Sequence, residues 1–321
     1  MPAEKPRILK LYHHQQYSDL AALLARKQGM GESISVVIPT LNEEATVGGI
    51  VTIIRRELMD QVGLVDEVFV IDSGSKDRTC EIARAAGARV FCAADIAPEW
   101  GNHPGKGENL WKSQFVAQGS IFCFIDGDIL DFHSGFVTGL VGPLLDAEHL
   151  HTQYVKAFYR RPLLSTDGPA QQGGGRVSEI LMRPLFSLFY PQLCEFIQPL
   201  AGEYAVRRSL LERLSFPCGY AVETTHLIDT LQLCGMEAFA QCDLDCRHHR
   251  NRDLADLGEM SCAILQVFLA RAERDGLLAL RNVSADYIRQ IWEDQEWERQ
   301  KKNLDVRERP AYATRQHPHL S

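Results

Sequence analysis

The chain has 321 residues, of which 45% are hydrophobic and 24% charged, a composition typical of globular proteins with one large domain or two modest ones. Its net charge of −8 argues against broad nucleic-acid binding, which normally requires a basic face. No apolar stretch approaches the ~18 residues of a membrane span and the N-terminus lacks the apolar core of a signal peptide, so we expect a cytoplasmic protein that binds neither nucleic acid nor membranes.

The first part of the chain has the apolar pattern of an alternating α/β protein. Residues 1–32 are expected to be an N-terminal extension, and the regular pattern begins at Ser33. Strands are predicted over 34–39, 68–72, 89–92 and 121–125, and helices over 43–58, 77–86 and 108–118. The strands are nearly continuously apolar, as strands are when both faces are covered. This alternation predicts a doubly wound, mostly parallel, Rossmann-like sheet flanked by helices.

Beyond residue 130 the pattern becomes mixed. Strands are predicted over 154–159 and 202–207, helices over 176–190, 222–234 and 254–273, and a loop over 162–175. The segment 284–302 is strongly charged, with Ile288, Ile291 and Trp292 on one face of a predicted helix. We expect a solvent-exposed tail helix with a narrow apolar stripe that serves in homodimerisation.

The nine cysteines form no Cys-x-x-Cys pair and are scattered through apolar surroundings, as expected of reduced thiols. Cys242, Cys246, His248 and His249 superficially resemble zinc ligands. They lie close together in the sequence, whereas structural zinc sites usually pair two separated groups of ligands. We therefore expect no structural zinc, and we expect His248 to be an exposed side chain without a role.

The strand predicted over 121–125 ends at two carboxylates, Asp126 and Asp128, separated by Gly127. This spacing suits a hard divalent cation that carries a diphosphate, because Mg²⁺ usually takes one or two carboxylates plus substrate phosphates. The carboxyl ends of parallel strands are also where α/β proteins hold ligands. The alternative is an acidic turn that caps the next helix, since Asp-x-Asp is a short motif. If these carboxylates bind a metal ion, the pattern indicates an enzyme that uses a nucleotide sugar, with Mg²⁺ or Mn²⁺ as cofactor.

Two other loops follow predicted strands, at residues 39–43 and 72–75, and in a parallel sheet they emerge at the same edge as Asp126. Together the three loops can surround one nucleotide. The chain lacks the Gly-x-Gly-x-x-Gly dinucleotide motif after the first strand, and the segment 105–108 lacks the Ser or Thr of a Walker loop. Lys106 in that segment is a candidate phosphate contact, and an exposed loop lysine is the alternative.

In its motifs the chain resembles the glucosyl-3-phosphoglycerate synthases, retaining glycosyltransferases of the GT-A fold. The generic motifs are at 35–44 (SVVIPTLNEE), 70–75 (VIDSGS) and 126–128 (DGD). The more specific ones are at 103–108 (HPGKGE), 158–162 (FYRRP), 173–177 (GGGRV), 198–204 (QPLAGEY), 219–223 (GYAVE) and 249–252 (HRNR). The resemblance covers about residues 33–270. One departure is Gly127, where we expect serine.

The resemblance implies metal-dependent transfer of glucose from UDP-glucose to the hydroxyl of 3-phosphoglycerate, with retention of configuration, in the synthesis of compatible solutes such as glucosylglycerate. Residues 33–130 would be the nucleotide-sugar-binding half, 131–275 the acceptor-binding and catalytic half, and 276–321 the charged helical tail. Two alternatives stay open. One is GDP-mannose as the donor, giving mannosyl-3-phosphoglycerate, and the other is a non-catalytic sensor of nucleotide sugars.

The resemblance also implies roles for particular residues. Nucleotide-sugar binding falls to Pro39, Thr40, Leu41, Glu43, Ser73, Lys106, Asp126, Gly127, Tyr220, Glu223 and Arg247. Acceptor binding falls to Gly175, Arg176, Val177, Ser178 and Asn251. Asp128 and His249 would hold the metal, and Glu223, Asp128 and Arg247 would be the catalytic residues.

Physical chemistry supports the assignment of the acceptor loop. The phosphate and carboxylate of 3-phosphoglycerate need several donors in an otherwise acidic protein. The glycines at 173–175 let the backbone approach closely, the predicted helix start offers free N–H groups, and Arg176 and Ser178 add donors. A flexible glycine hinge is the alternative. Retention is compatible with a carboxylate nucleophile or with front-face attack; we favour the latter, with Glu223 orienting sugar and acceptor.

Overall fold

A computed structural model describes residues 9–161, 175–248, 254–293 and 296–315. Its strands are β1 (Lys10–His13), β2 (Ile34–Thr40), β3 (Glu67–Asp72), β4 (Arg89–Cys92), β5 (Ile121–Phe124), β6 (Tyr154–Arg160), β7 (Tyr204–Arg207), β8 (Phe216–Pro217), β9 (Phe239–Cys246), β10 (Asp286–Glu293), β11 (Glu296–Asn303) and β12 (Glu308–Arg309). Eight of them form one sheet in the order β1-β9-β6-β7-β5-β2-β3-β4. In that sheet β7 is antiparallel to both neighbours and the other pairs are parallel, which confirms the predicted mostly parallel sheet.

Helices cover both faces of the sheet. They are α1 (Leu20–Met30), α2 (Val47–Ile53), α3 (Thr79–Ala85), α4 (Lys106–Ser113), α5 (Gly135–Val141), α6 (Arg183–Phe189), α7 (Arg208–Leu211), α8 (Val222–Cys234) and α9 (Leu254–Arg274), with π-helical turns at Ile54–Asp60 and Ser178–Met182. In β2, Val36 and Ile38 pack with α2 and α5 on one face, while Val37 packs with α4 on the other. The continuous apolar runs therefore have the physical cause that was expected, namely burial on both sides. No helix in the described part of the chain is long and apolar enough to cross a bilayer.

The N-terminal segment is part of the sheet. β1 pairs in parallel with β9 at the edge of the sheet, and Leu9 and Leu23 are buried in the two cores. Residues 1–32 were expected to be an extension outside the regular α/β pattern. A strand of four residues is too short to show a periodic apolar pattern, so only the pairing with β9 reveals β1.

The predicted tail helix is wrong. Residues 286–303 form an antiparallel hairpin of β10 and β11. Tyr287 and Ile288 belong to residue types that favour strands, and the hairpin supplies charged partners across the strands. Lys301 Nζ lies 2.6 Å from Asp286 Oδ2, for example. The hairpin depends on backbone pairing from Asp286↔Asn303 to Glu293↔Glu296, which the helical spacing of the apolar residues does not reveal.

The fold brings many chain segments to one edge of the sheet. β2, β3, β5, β6 and β9 all end there, because they run in the same direction. β7 runs the opposite way, so the residues that precede it, Gly202 and Glu203, lie at the same edge. Polar groups that are far apart in the sequence thus meet at one place.

Candidate active site

A cavity of about 500 Å³ opens at this edge. Every predicted site residue that the structure describes lines it: Pro39, Thr40, Leu41, Glu43, Ser73, Lys106, Asp126, Gly127, Asp128, Gly175, Arg176, Val177, Ser178, Tyr220, Glu223 and Arg247. His249 and Asn251 lie outside the described residues. The three nucleotide loops and the acceptor loop lie far apart in the sequence but line the same cavity.

The loop after β3 is held by its own side chains. Asp72 accepts hydrogen bonds from the N–H groups of Gly74 and Ser75, both at 2.8 Å, and from Thr40 Oγ1 at 3.0 Å. Asp72 is buried, so its carboxylate shapes the loop. Ser73 Oγ, which does line the cavity, donates to Asn109 Oδ1 at 2.9 Å. The loops after β2 and β3 are thus joined by the hydrogen bond between Thr40 and Asp72.

Gly127 packs tightly against the loop after β2. A Cβ at this position would lie 3.0 Å from Thr40 Cγ2 and 3.2 Å from the carbonyl oxygen of Pro39. These distances are shorter than ordinary van der Waals contact, so a side chain would push the two loops slightly apart. The departure from the expected serine therefore fits the close packing of this structure.

Lys106 is buried within the site and is not an exposed loop lysine. Its Nζ lies 2.5 Å from Asp126 Oδ1 and 2.9 Å from Glu223 Oε1, and it donates to the carbonyl oxygen of Gly202 at 3.2 Å. Burial alone would lower the pKa of Lys106, but the charges of Asp126 and Glu223 outweigh it and hold that pKa well above the ordinary lysine value. The charged ammonium fixes the positions of both carboxylates.

Arg247 forms the second charged centre. Its Nη2 lies 2.5 Å from Asp128 Oδ1 and 3.3 Å from Asp126 Oδ2, and the side chain is almost fully buried. Although burial acts in the opposite direction, the charges of Lys106 and Arg247 hold the pKa of Asp126 well below the ordinary aspartate value. Asp126 is therefore ionised and bound on both sides, whereas Asp128 has a more exposed side chain that reaches the cavity.

Behind Arg247 lies a group that the sequence analysis did not assign. Arg247 Nη1 lies 2.8 Å from Oε1 of Glu203, which is fully buried, and donates to the hydroxyl oxygen of Tyr159 at 2.9 Å. The Tyr159 hydroxyl donates to Glu203 Oε2 at 2.7 Å and accepts from Arg161 Nη2 at 2.9 Å. Burial raises the pKa of Glu203. Tyr159 and Glu203 lie in the quoted motifs and Arg247 lies just before one of them, but no local spacing rule connects positions 159, 203 and 247.

The acceptor loop enters the cavity from the other half of the chain. Gly175 has φ +86°, a left-handed conformation that favours glycine, and Val177 and Ser178 are buried as the following helix begins. Leu257, Met260 and Ile264 of α9 add an apolar wall that was not predicted. The sequence predicted this helix, but periodicity alone does not tell which face meets a ligand.

His248 corrects another expectation. It is partly buried, and its Nδ1 lies 2.9 Å from Asp131 Oδ2. Cys246 and His248 lie with Asp131, while Cys242 is buried beside Gly139. His248 was expected to have no role because the resemblance assigns the metal to His249, and no local signal indicates a partner 117 residues away.

The donor set at this edge fits a divalent cation. Asp128 offers a carboxylate oxygen to the cavity, and in this structure Arg247 neutralises its charge. Mg²⁺ and Mn²⁺ favour oxygen ligands and leave positions for water and phosphate, so one accessible carboxylate is chemically sufficient as an anchor. Asp126 is less suited, because both of its oxygens are already bound by cations.

Comparison with known proteins agrees with this geometry. The family model of glycosyl transferase family 2 matches residues 35–169. A glucosyl-3-phosphoglycerate synthase from Petrotoga mobilis is 47% identical over 283 residues, covering 88% of this chain and 86% of the relative. The chain belongs to the glucosyl-3-phosphoglycerate synthase family. It is therefore a glycosyltransferase, and the predicted GT-A type α/β fold is confirmed.

Two solved structures extend the comparison. Glucosyl-3-phosphoglycerate synthase from Mycobacterium tuberculosis, in complex with Mn²⁺, UDP-glucose and phosphoglyceric acid, is 40% identical with a TM-score of 0.81. The match covers 95% of this chain and 98% of that one. Mannosyl-3-phosphoglycerate synthase from Rubrobacter xylanophilus is 35% identical with a TM-score of 0.85, covering 95% of each chain. One fold thus serves family members named for different sugars.

Proposed function

We propose that this chain transfers glucose from UDP-glucose to the hydroxyl of 3-phosphoglycerate with the help of Mg²⁺ or Mn²⁺. The observation that carries the proposal is that the Asp128–Arg247 pair and the acceptor loop at 175–178 face one cavity. This is the arrangement needed to bring a diphosphate and a second anionic substrate together. The ligands named for the M. tuberculosis relative are a divalent metal, UDP-glucose and phosphoglyceric acid.

On the donor side, the loops at 39–43 and 72–73 would hold the uridine, and Arg247 would bind the diphosphate through its planar guanidinium. Asp128, with His249 outside the described residues, would hold the metal, which neutralises diphosphate charge when bound. Arg247 now pairs with Asp128 at 2.5 Å. That pair must open when the substrate binds, and Glu203 and Tyr159 keep the guanidinium in place from behind.

On the acceptor side, Arg176, Ser178 and the backbone at 175–177 would bind phosphoglycerate, with Asn251 as a further donor. Charge-assisted hydrogen bonds to carboxylate and phosphate are strong and geometrically selective. They would place the acceptor hydroxyl beside the sugar, and correct placement alone can supply a large part of the rate enhancement.

The reaction breaks the bond between the anomeric carbon of glucose and the diphosphate oxygen, which keeps the electron pair. A bond forms between the acceptor hydroxyl oxygen and the same carbon. In the front-face route, the hydroxyl attacks from the side that UDP leaves, and its proton passes to the departing phosphate oxygen. Glu223 would orient the sugar and acceptor, because Lys106 holds its carboxylate at 2.9 Å. Arg247 would stabilise the charge that develops on the leaving diphosphate.

GDP-mannose is the alternative donor, and the structural similarity to mannosyl-3-phosphoglycerate synthase from Rubrobacter xylanophilus is consistent with it. The loops at 39–43 and 72–73 do not by themselves discriminate uracil from guanine. A non-catalytic sensor is disfavoured, because binding alone has no need for Asp128, Glu223 and Arg247 in one cavity.

Location and assembly are further proposals. Both substrates are charged metabolites of the cytoplasm, which is where we place the enzyme. The hairpin of β10 and β11 exposes Ile288 and Trp297, which supports a homodimer formed through this tail.

The deciding experiment is turnover with 3-phosphoglycerate and Mg²⁺, comparing UDP-glucose with GDP-mannose. We expect acceptor-dependent release of UDP that EDTA abolishes, and ¹H NMR of the product should show the α-linkage of the donor. Preferential GDP release would change the donor and keep the mechanism. Tight nucleotide binding without release from either donor would refute the proposed acceptor.

A further inference from the structure

Two chain segments carry the groups proposed to bind the metal and the diphosphate. The segment after β5 carries Asp126 and Asp128, and the segment after β9 carries Arg247. β5 and β9 are not neighbours, because β6 and β7 lie between them in the sheet. No backbone ladder therefore joins the two segments directly, and side-chain contacts must hold them together.

Asp131 and His248 provide such a contact. Asp131 Oδ1 accepts the backbone N–H of His248 at 3.2 Å, and Oδ2 lies 2.9 Å from His248 Nδ1. Asp131 stands three residues after Asp128, and His248 directly follows Arg247. This pair, which we name the Asp131–His248 clamp, thus joins the two segments beside their functional groups.

A second contact between the two segments is the ion pairing of Arg247 with Asp128 and Asp126. Under the proposed function, the Asp128 part of that contact is lost when Asp128 turns to a metal ion and Arg247 turns to a diphosphate. The clamp uses neither group, so it can persist in the substrate-bound state. Its contribution should therefore be greatest once metal and nucleotide are present.

We propose that Asp131 and His248 are positioning residues that keep Asp128 and Arg247 at the separation needed for metal and diphosphate binding. This inference rests on the proposed function. Asp131, Cys246 and His248 are also ligand types for a metal ion of their own. Both oxygens of Asp131 already accept hydrogen bonds from His248, which favours the clamp over a second metal site.

The test is direct titration of Mn²⁺ in the presence of UDP, followed by electron paramagnetic resonance, together with steady-state kinetics. Asp131→Ala and His248→Ala should each weaken Mn²⁺ binding about five- to tenfold, the size expected for an ordinary hydrogen-bonded contact between partly exposed side chains. The KM for UDP-glucose should rise similarly, while kcat at saturating substrate and metal stays within about twofold of wild type. His248→Asn should restore most of the affinity, because its amide can donate near the position of Nδ1.

Three controls separate a clamp from a general structural effect. His151→Ala removes an exposed histidine and should match wild type. The double variant of Asp131 and His248 should lose no more affinity than Asp131→Ala alone, because Asp131→Ala already removes both hydrogen bonds of the clamp. The melting temperature of the metal-free protein should change little, since Arg247 still pairs with Asp128 there.

Several results would overturn the inference: wild-type Mn²⁺ affinity in both alanine variants, additive losses in the double variant, or binding of two Mn²⁺ ions per chain that falls to one in the variants. If the wild-type protein itself bound no metal with UDP and turned over without metal, the proposed function and the clamp would both fall. Normal metal dependence in wild type and variants alike would refute the clamp alone.

Discussion

Gly202 offers a sharp test of the charged network, because its carbonyl group and Cα lie directly against it. A Cβ at this position would lie 2.1 Å from Asp126 Oδ2 and 2.5 Å from Lys106 Nζ. Gly219 is a matched control, since a Cβ there meets nothing within 4 Å. The variants Gly202→Ala and Gly219→Ala thus add the same methyl group with different consequences.

The displacement can be worked from these distances. Ordinary contact begins at 3.4 Å, so Asp126 must retreat by about 1.3 Å and Lys106 by about 0.9 Å. A misplacement of about 1 Å in a catalytic arrangement can cost about 100-fold in rate. We therefore expect Gly202→Ala to lower kcat/KM about 100-fold, which is about 2.7 kcal/mol in activation free energy. Crowding in a packed site should also lower the free energy of unfolding by about 1–3 kcal/mol.

The assay is UDP release at varied UDP-glucose and 3-phosphoglycerate, with urea unfolding of each variant. Gly219→Ala should keep kcat/KM within about twofold of wild type. Equal activity of the two variants would show that the positions of Lys106 and Asp126 do not limit the reaction, and the reasoning from their contacts would be refuted.

Three further predictions concern single groups. Asp128→Ala should remove metal-dependent turnover while urea unfolding stays near wild type; near-normal turnover would refute the metal assignment. Arg176→Ala should raise the KM for 3-phosphoglycerate at least about tenfold, the loss expected for one charge-assisted contact, and change the KM for UDP-glucose far less; equal effects would argue against the acceptor assignment. Burial lowers the pKa of His226 from 6.5 to about 3. Between these values the unfolded chain binds a proton that the folded chain does not, so this group makes the free energy of unfolding decrease as the pH is lowered, by up to about 1.4 kcal/mol per pH unit. Urea unfolding at pH 5.0–6.5 should show that the free energy of unfolding depends less steeply on pH in His226→Asn than in wild type. An unchanged pH dependence would contradict the buried, uncharged state of His226.

Arg247 illustrates why the site is ready for substrate. It is almost fully buried, and its guanidinium contacts Asp126, Asp128 and Glu203. Removing one partner of a buried charge is costly because the other charge is left uncompensated. With three carboxylates around it, the guanidinium can release Asp128 and still remain neutralised. That property suits a residue that must exchange a carboxylate for a diphosphate.

The N-terminal sheet could be predicted because its signals are local. In β2 and β5, consecutive residues face opposite cores, so burial on both sides leaves an unbroken apolar run in the sequence. The location of the polar loops that follow these strands could also be predicted, since parallel strands end at the same edge of a sheet. In the structure these loops line one cavity through Pro39, Thr40, Leu41, Glu43, Ser73, Asp126, Gly127 and Asp128.

The tail shows where local signals fail. The residues of β10 satisfy a helical stripe and a strand equally well, and the choice depends on β11 lying opposite. The ion pair of Arg309 with Glu108 could not be predicted from local sequence either. Its guanidinium binds the buried carboxylate of Glu108 with Nε at 2.7 Å and Nη2 at 2.6 Å, which ties β12 to α4 across about 200 residues.

By itself, the sequence determined the α/β class, the strand-end loops and, through its motifs, the family. Only the tertiary structure decided that Lys106 is buried between Asp126 and Glu223, that Glu203 and Tyr159 stand behind Arg247, and that His248 holds Asp131. The physical reason is the range of the interactions. Periodicity and turn chemistry act within a few residues, whereas ion pairs in the site join positions that the sheet order alone brings together.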